Sequence, residues 1–73
     1  MDKGIITRSL IDCLNGDEID SKKFFATHPW NDSLKKSLYQ LRNLGYIIVD
    51  EGENRILEIA PTQKLLELAK ATH

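Results

Sequence analysis

This sequence is poor in most of the features that narrow a function at sight. It carries one cysteine, Cys13, in 73 residues. No internal disulfide can form, which fits a reducing compartment and removes the covalent staple of small secreted domains. Two prolines and four glycines are scattered singly, so no linker or low-complexity tract divides the chain. No apolar run approaches the roughly 20 residues that a bilayer span requires. The N-terminal MDKGIITRSL has two basic residues, Lys3 and Arg8, and no continuous apolar core of the kind a signal peptide needs. The expected setting is therefore the cytoplasm, with no membrane partner. Metal-ligand spacing, a phosphate loop and a recognisable nucleophile with its base are all missing, and the two histidines, His28 and His73, flank a proline turn and end the chain. Neither a cofactor nor catalysis is expected from such a set.

What is present describes a small soluble module. Hydrophobic residues make up 41% and charged residues 29%, an ordinary globular balance. A chain this short buries only roughly 60% of its unfolded surface, so residues 1–73 are expected to form one domain. The net charge of −1 gives no strong general attraction to polyanions. Its distribution is more informative. Residues 31–49 carry Lys35, Lys36 and Arg42 against Asp32, a net +2, whereas 50–73 set Arg55, Lys64 and Lys70 against Asp50, Glu51, Glu53, Glu58 and Glu67, a net −2.

Ile5, Ile6, Leu10, Cys13 and Leu14 recur at helical spacing, and Asn15-Gly16 offers a left-handed stop, so a first helix is expected over residues 4–14. Cys13 falls on its apolar side. It reads as a small buried hydrophobe, the alternative being a reactive or metal-bound thiol. The acidic GDEID is a connector in which Ile19 suits a short strand. Asp20 or Ser21 can cap a second helix, SKKFFATH, anchored in the core by Phe24 and Phe25 and ended by Pro29. Asn31, Asp32 and Ser33 are three capping side chains in succession before the third helix, residues 32–44. There Leu34, Leu38 and Leu41 form one stripe with Leu44 at its margin. At about 100° per residue, Asp32, Lys36, Tyr39 and Asn43 point the other way, flanked by Lys35, Gln40 and Arg42. Tyr46–Val49 and Arg55–Ile59 are β-rich, with Gly52 and Asn54 as turn residues between them. Pro61 stops the second strand. Thr62 can cap a last helix, QKLLELAKA, with Leu65, Leu68 and Ala69 on one face.

Leu38-Tyr39-Gln40-Leu41-Arg42-Asn43-Leu44-Gly45-Tyr46-Ile47, a leucine-spaced helix closed by glycine and followed by a strand, resembles the third helix and wing of the winged helix-turn-helix superfamily, notably its small bacterial and phage regulators. IAPTQKLLELAK is similar to the strand-then-helix segment of such proteins, and the likeness covers nearly the whole chain. Pro29-Trp30 stands where the superfamily more often has a glycine or a polar link, and there is no glycine after Lys64. The resemblance implies an α+β fold, a small winged helix-turn-helix with a three-helix core, a two-stranded β-hairpin wing and a C-terminal helix.

The resemblance also implies double-stranded DNA as the partner, with helix 32–44 in the major groove of a transcriptional regulator's target. Ser33, Lys35, Lys36, Tyr39, Gln40 and Asn43 are the candidate contacts. Gln40 and Asn43 suit adenine, and the lysines suit guanine or phosphate. Arg55 is the one basic residue the hairpin offers. The plain alternative is that this face is merely solvated. Asp50, Glu51 and Glu53 in the hairpin would repel a polyanion, which keeps open a second function, a protein-protein interaction module or inhibitor, with Trp30 and Tyr39 as anchors. At such a turn a tryptophan like Trp30 is more often a core or staple residue. A DNA-binding monomer would cover one short half-site, which favours a homodimer.

Overall fold

The computed structural model describes residues 3–53 and 55–71. Eight elements follow one another: α1 (Lys3–Asp12), β1 (Leu14–Asn15), β2 (Glu18–Ile19), α2 (Ser21–Thr27), α3 (Asp32–Asn43), β3 (Ile47–Glu51), β4 (Ile56–Pro61) and α4 (Gln63–Ala71). The architecture is α+β, with four helices and two separate two-stranded antiparallel sheets, β1–β2 and β3–β4.

The first helix ends two residues earlier than its periodicity suggests. Leu14 leaves it to pair with Ile19, and Asn15 pairs with Glu18. Gly16, at φ +65°, therefore turns a miniature hairpin rather than closing a helix. Gly16 and Asp17 form the two-residue loop between the paired Asn15 and Glu18, and glycine at its first position supplies the positive φ. α2 is capped by Asp20, whose carboxylate accepts from the Lys23 amide at 3.0 Å. Ser21, the alternative cap, uses its hydroxyl elsewhere: it accepts from the Ile59 amide at 2.9 Å and donates to the Ile59 carbonyl at 3.3 Å. His28 lies just outside α2 as its C-cap in extended backbone, as a residue before proline should. Its Nε2 is 2.6 Å from Ser9 Oγ, tying the end of α2 to α1.

α3 starts after Asn31, whose side-chain oxygen accepts from the Leu34 amide at 2.8 Å, so Asp32 and Ser33 lie in the first turn. Asp32 there and Arg42 in the last turn both complement the helix dipole. The helix is closed at Gly45, φ +86°. The Gly45 amide donates to Arg42 O and the Tyr46 amide to Leu41 O, each at 3.0 Å, a Schellman pair of bonds. The start of α4 is sewn to the same point. Thr62 Oγ1 donates to Gly45 O, and Lys64 Nζ donates to Leu44 O at 2.8 Å while lying 4.5 Å from the Tyr46 ring centre. The Thr62 hydroxyl is thus spent on α3 instead of capping α4.

One apolar cluster joins the elements: Ile6, Leu10 and Cys13, Ile19, Phe24, Leu34, Leu38 and Leu41, Ile47, Ile56 and Ile59, and Leu65. The expected α3 stripe is buried in full, joined by Ser37. Ile5, which spacing sets within the apolar stripe of α1, is exposed, as is Leu44 at the margin of the α3 stripe, and Phe25, expected as a core anchor, only borders the core. Trp30 packs on that border, edge-on to Phe25 with ring centres 6.2 Å apart. Burial pushes the Cys13 thiol above its ordinary 9.0, an effect that Lys23 partly offsets and that Asp20 and Asp12 reinforce. Such a thiol is a packing group, not a poised nucleophile.

Candidate nucleic-acid interface

The outward side of α3 is set by where its leucines go. Burying Leu34, Leu38 and Leu41 turns Asp32, Lys35, Lys36, Tyr39, Gln40 and Asn43 outward together, and these six line one shallow surface groove. Five of the seven sequence candidates are therefore brought side by side. Lys35, Lys36, Gln40 and Asn43 are exposed, and Tyr39 is half-buried. Ser33 is exposed on the first turn of α3 but outside that groove. Arg55 is not brought there. It borders a different depression, with Phe25, Trp30, Ile56 and Leu57, on the side of the hairpin that meets α2.

The β3–β4 hairpin stands beside this face. β3 and β4 run in register from Ile47↔Pro61 to Asp50↔Glu58, and then Glu51 pairs with Ile56, skipping Leu57. Leu57 is the extra residue of a bulge, 47% exposed, and its side chain lies over Gly52. A Cβ on Gly52 would come within 2.8 Å of Leu57 Cδ1, so close approach rather than a positive φ is what asks for glycine there. Asn54, the other expected turn residue, lies outside the described residues, as does His73.

Strand alternation places Glu51 on the same side of β3 as Ile47 and Val49, the side turned to α3. Its carboxylate meets two side chains of that helix. Tyr39 Oη donates to Glu51 Oε1 at 2.6 Å, and Arg42 Nη1 lies 3.4 Å from the same oxygen. The Arg42 guanidinium also stands 4.6 Å from the Tyr39 ring centre and reaches Asn43 Oδ1 at 3.4 Å. The hydrogen bond to Glu51 raises the Tyr39 phenol above its ordinary 10.0, with desolvation and the Glu51 charge adding to the rise and Arg42 opposing it.

Two participants in this cluster are not among the sequence candidates. Spacing puts Arg42 on the helix flank without a role, and composition makes Glu51 only a repulsive charge. Period-two alternation from Ile47 is enough to find Glu51's side of the strand. That this side meets Tyr39 is a fact of tertiary packing. Away from α3 the surface changes sign: Asp17, Glu18, Asp20 and Glu58, with Lys22, line a groove between β1–β2 and β4. Among the described residues no group of three or more His, Cys, Asp or Glu side chains is placed to hold a metal ion, and no helix is long and apolar enough to cross a membrane.

Comparison with protein-family models, with curated proteins and with solved structures finds no match to this chain.

Proposed function

We propose that this chain is a winged helix-turn-helix module that binds double-stranded DNA, with α3 in the major groove and β3–β4 as the wing, in the manner of a small transcriptional regulator. The observation that carries this reading is the polar, cationic side of α3. Lys35, Lys36, Gln40 and Asn43 are solvent-facing on one continuous surface, seated by a fully buried leucine stripe and bounded by the hairpin. The lysines supply phosphate or guanine contacts and the two amides supply base readout, as helices of this kind do in a groove. Arg55, facing α2, is left out of the contact set.

The test is titration of a fluorescent mixed-sequence duplex with wild type and with the Lys35→Ala, Lys36→Ala double variant at several salt concentrations. Wild type binds, and the double variant binds more weakly, with a log-log salt slope flattened by about 0.9 for each phosphate that the missing lysines leave unneutralised. Unchanged affinity and slope would remove α3 from the groove.

One observation favours the second reading, a protein-docking module. On the hairpin, Ile48 is 60% and Leu57 47% exposed, beside the acidic Asp50 and Glu51. Apolar side chains held in water next to carboxylates suit a basic protein surface better than a polyanion. The same titration decides between them, because this reading expects no duplex binding even at low salt. A homodimer belongs to the DNA reading, and the groove between α1 and α4, lined by Ile11, Leu14 and Leu66, is a surface that could form it.

A further inference from the structure

The wing's acidity is concentrated in an unusual place. Of its carboxylates, Glu51 is the one bonded to α3, and it takes up the only arginine of that helix. Arg42 and Glu51 are both partly open to water, at 43% and 46% of their side-chain surface, so the pair can exchange partners. Arg42 lies in the angle between α3 and β3, stacked on Tyr39 and forked between Glu51 and Asn43. A carboxylate oxygen with a phenol and a guanidinium converging on it presents the donors that a phosphate oxygen would also accept.

We propose that Glu51 is an intramolecular stand-in for a DNA phosphate, which holds Arg42 and Tyr39 in the free protein and is displaced from them by a backbone phosphate when the duplex binds. The inference rests on the DNA reading above and adds a regulator of affinity to the same surface. Charge counting gives its signature. An arginine already neutralised by Glu51 gains less from meeting a phosphate, because the displaced carboxylate must recruit a cation in its place. Wild type therefore shows a lower affinity and a shallower salt dependence than its surface lysines and arginine would give unopposed.

The experiment measures duplex affinity against salt for wild type, Glu51→Gln, Arg42→Gln, the Glu51→Gln, Arg42→Gln double variant, and Glu53→Gln as an exposed hairpin charge control. Glu51→Gln tightens binding about two- to fivefold at low salt, the range an exposed ion pair can hold back. Its slope steepens by about 0.9. The gain vanishes when Arg42 is also replaced, and Glu53→Gln gains less than Glu51→Gln. Independently of DNA, Glu51→Gln returns the Tyr39 titration, followed by ultraviolet absorbance, toward 10.0. A Glu51→Gln gain that persists without Arg42 overturns the exchange in favour of simple wing repulsion. Weaker binding by Glu51→Gln at unchanged stability overturns it in favour of a fixed brace. If wild type binds through Lys35 and Lys36 but Glu51→Gln changes neither affinity nor slope, the exchange alone fails. If no variant binds duplex while the Tyr39 titration still responds, the DNA reading fails and takes the exchange with it.

Discussion

The C-terminal end of α3 and the tip of the β3–β4 hairpin are close in sequence, yet they are held by different means. At the end of α3 the bonds are mostly to backbone carbonyls. Gly45 and Tyr46 amides return to Arg42 and Leu41, Thr62 reaches Gly45 O, and Lys64 reaches Leu44 O. At the tip, among the described residues, there is a bulge at Leu57, a turn bond from the Gly52 amide to Arg55 O at 2.8 Å, and the side-chain tie of Glu51 to α3. A junction made through backbone groups is fixed once the helix forms. One made through an exposed carboxylate responds to pH, salt and competing anions. The part of the molecule that sets the fold is thus separated by a few residues from a part that can be adjusted.

Both regions rest on α3, so its core stripe is where the largest effect is expected. Leu38 is fully buried, and Leu38→Ala should cost about 2 to 5 kcal/mol in urea denaturation, enough to unfold much of so small a protein. A loss well below that would mean α3 is not seated as described, and the two regions share no support. Next comes the contrast between two glycines. Gly45→Ala forces a side chain into φ +86° and should cost about 1 to 2 kcal/mol. Gly52→Ala crowds only the Leu57 side chain, which is 47% exposed and can swing aside, so its cost should stay within about 0.5 kcal/mol. Equal losses at both positions would abolish the distinction between a fixed and an adjustable end.

The smallest effect is alkaline. Tyr39 donates to Glu51 only while protonated, and its titration point is raised above 10.0. A raised value in the folded state means the contribution is whole below pH 10.0 and disappears as pH climbs through the folded-state titration. Amide spectra recorded from neutral pH upward should shift at Glu51 and Asp50 over that window. Tyr39→Phe should abolish the step. A shift at Glu51 that survives Tyr39→Phe would show that this bond does not hold the tip.

How much of this can be read from the chain follows from how local each determinant is. The α3 stripe, the Gly45 stop, the Pro29 boundary and the hairpin position are short-range patterns, and all four reappear in the structure. Gly16 is ambiguous because a glycine of positive φ serves both a helix end and a hairpin turn, and only the pairing of Leu14 and Asn15 with Ile19 and Glu18 decides. Thr62 and Ser21 look like caps because a hydroxyl before a helix usually is one. Their actual partners, Gly45 and Ile59, lie 17 and 38 residues away. In the candidate site, spacing alone groups Lys35, Lys36, Tyr39, Gln40 and Asn43, whereas the turning of Arg55 toward α2 and the Glu51 tie depend on the hairpin's angle.

Ser21 carries a consequence for how this molecule avoids its own kind. A β-strand at the margin of a sheet exposes amides and carbonyls that invite another chain to extend the sheet, and long unprotected margins promote aggregation. At Ile59 both groups on the side away from β3 are occupied by one serine hydroxyl, which does the work of a neighbouring strand with a single oxygen. Strand addition along β4 is blocked there, and Pro61, two residues on, brings no N–H to the same margin. The open margin is that of β3, where Asp50 and Glu51 end the strand in like charges that two copies would bring face to face.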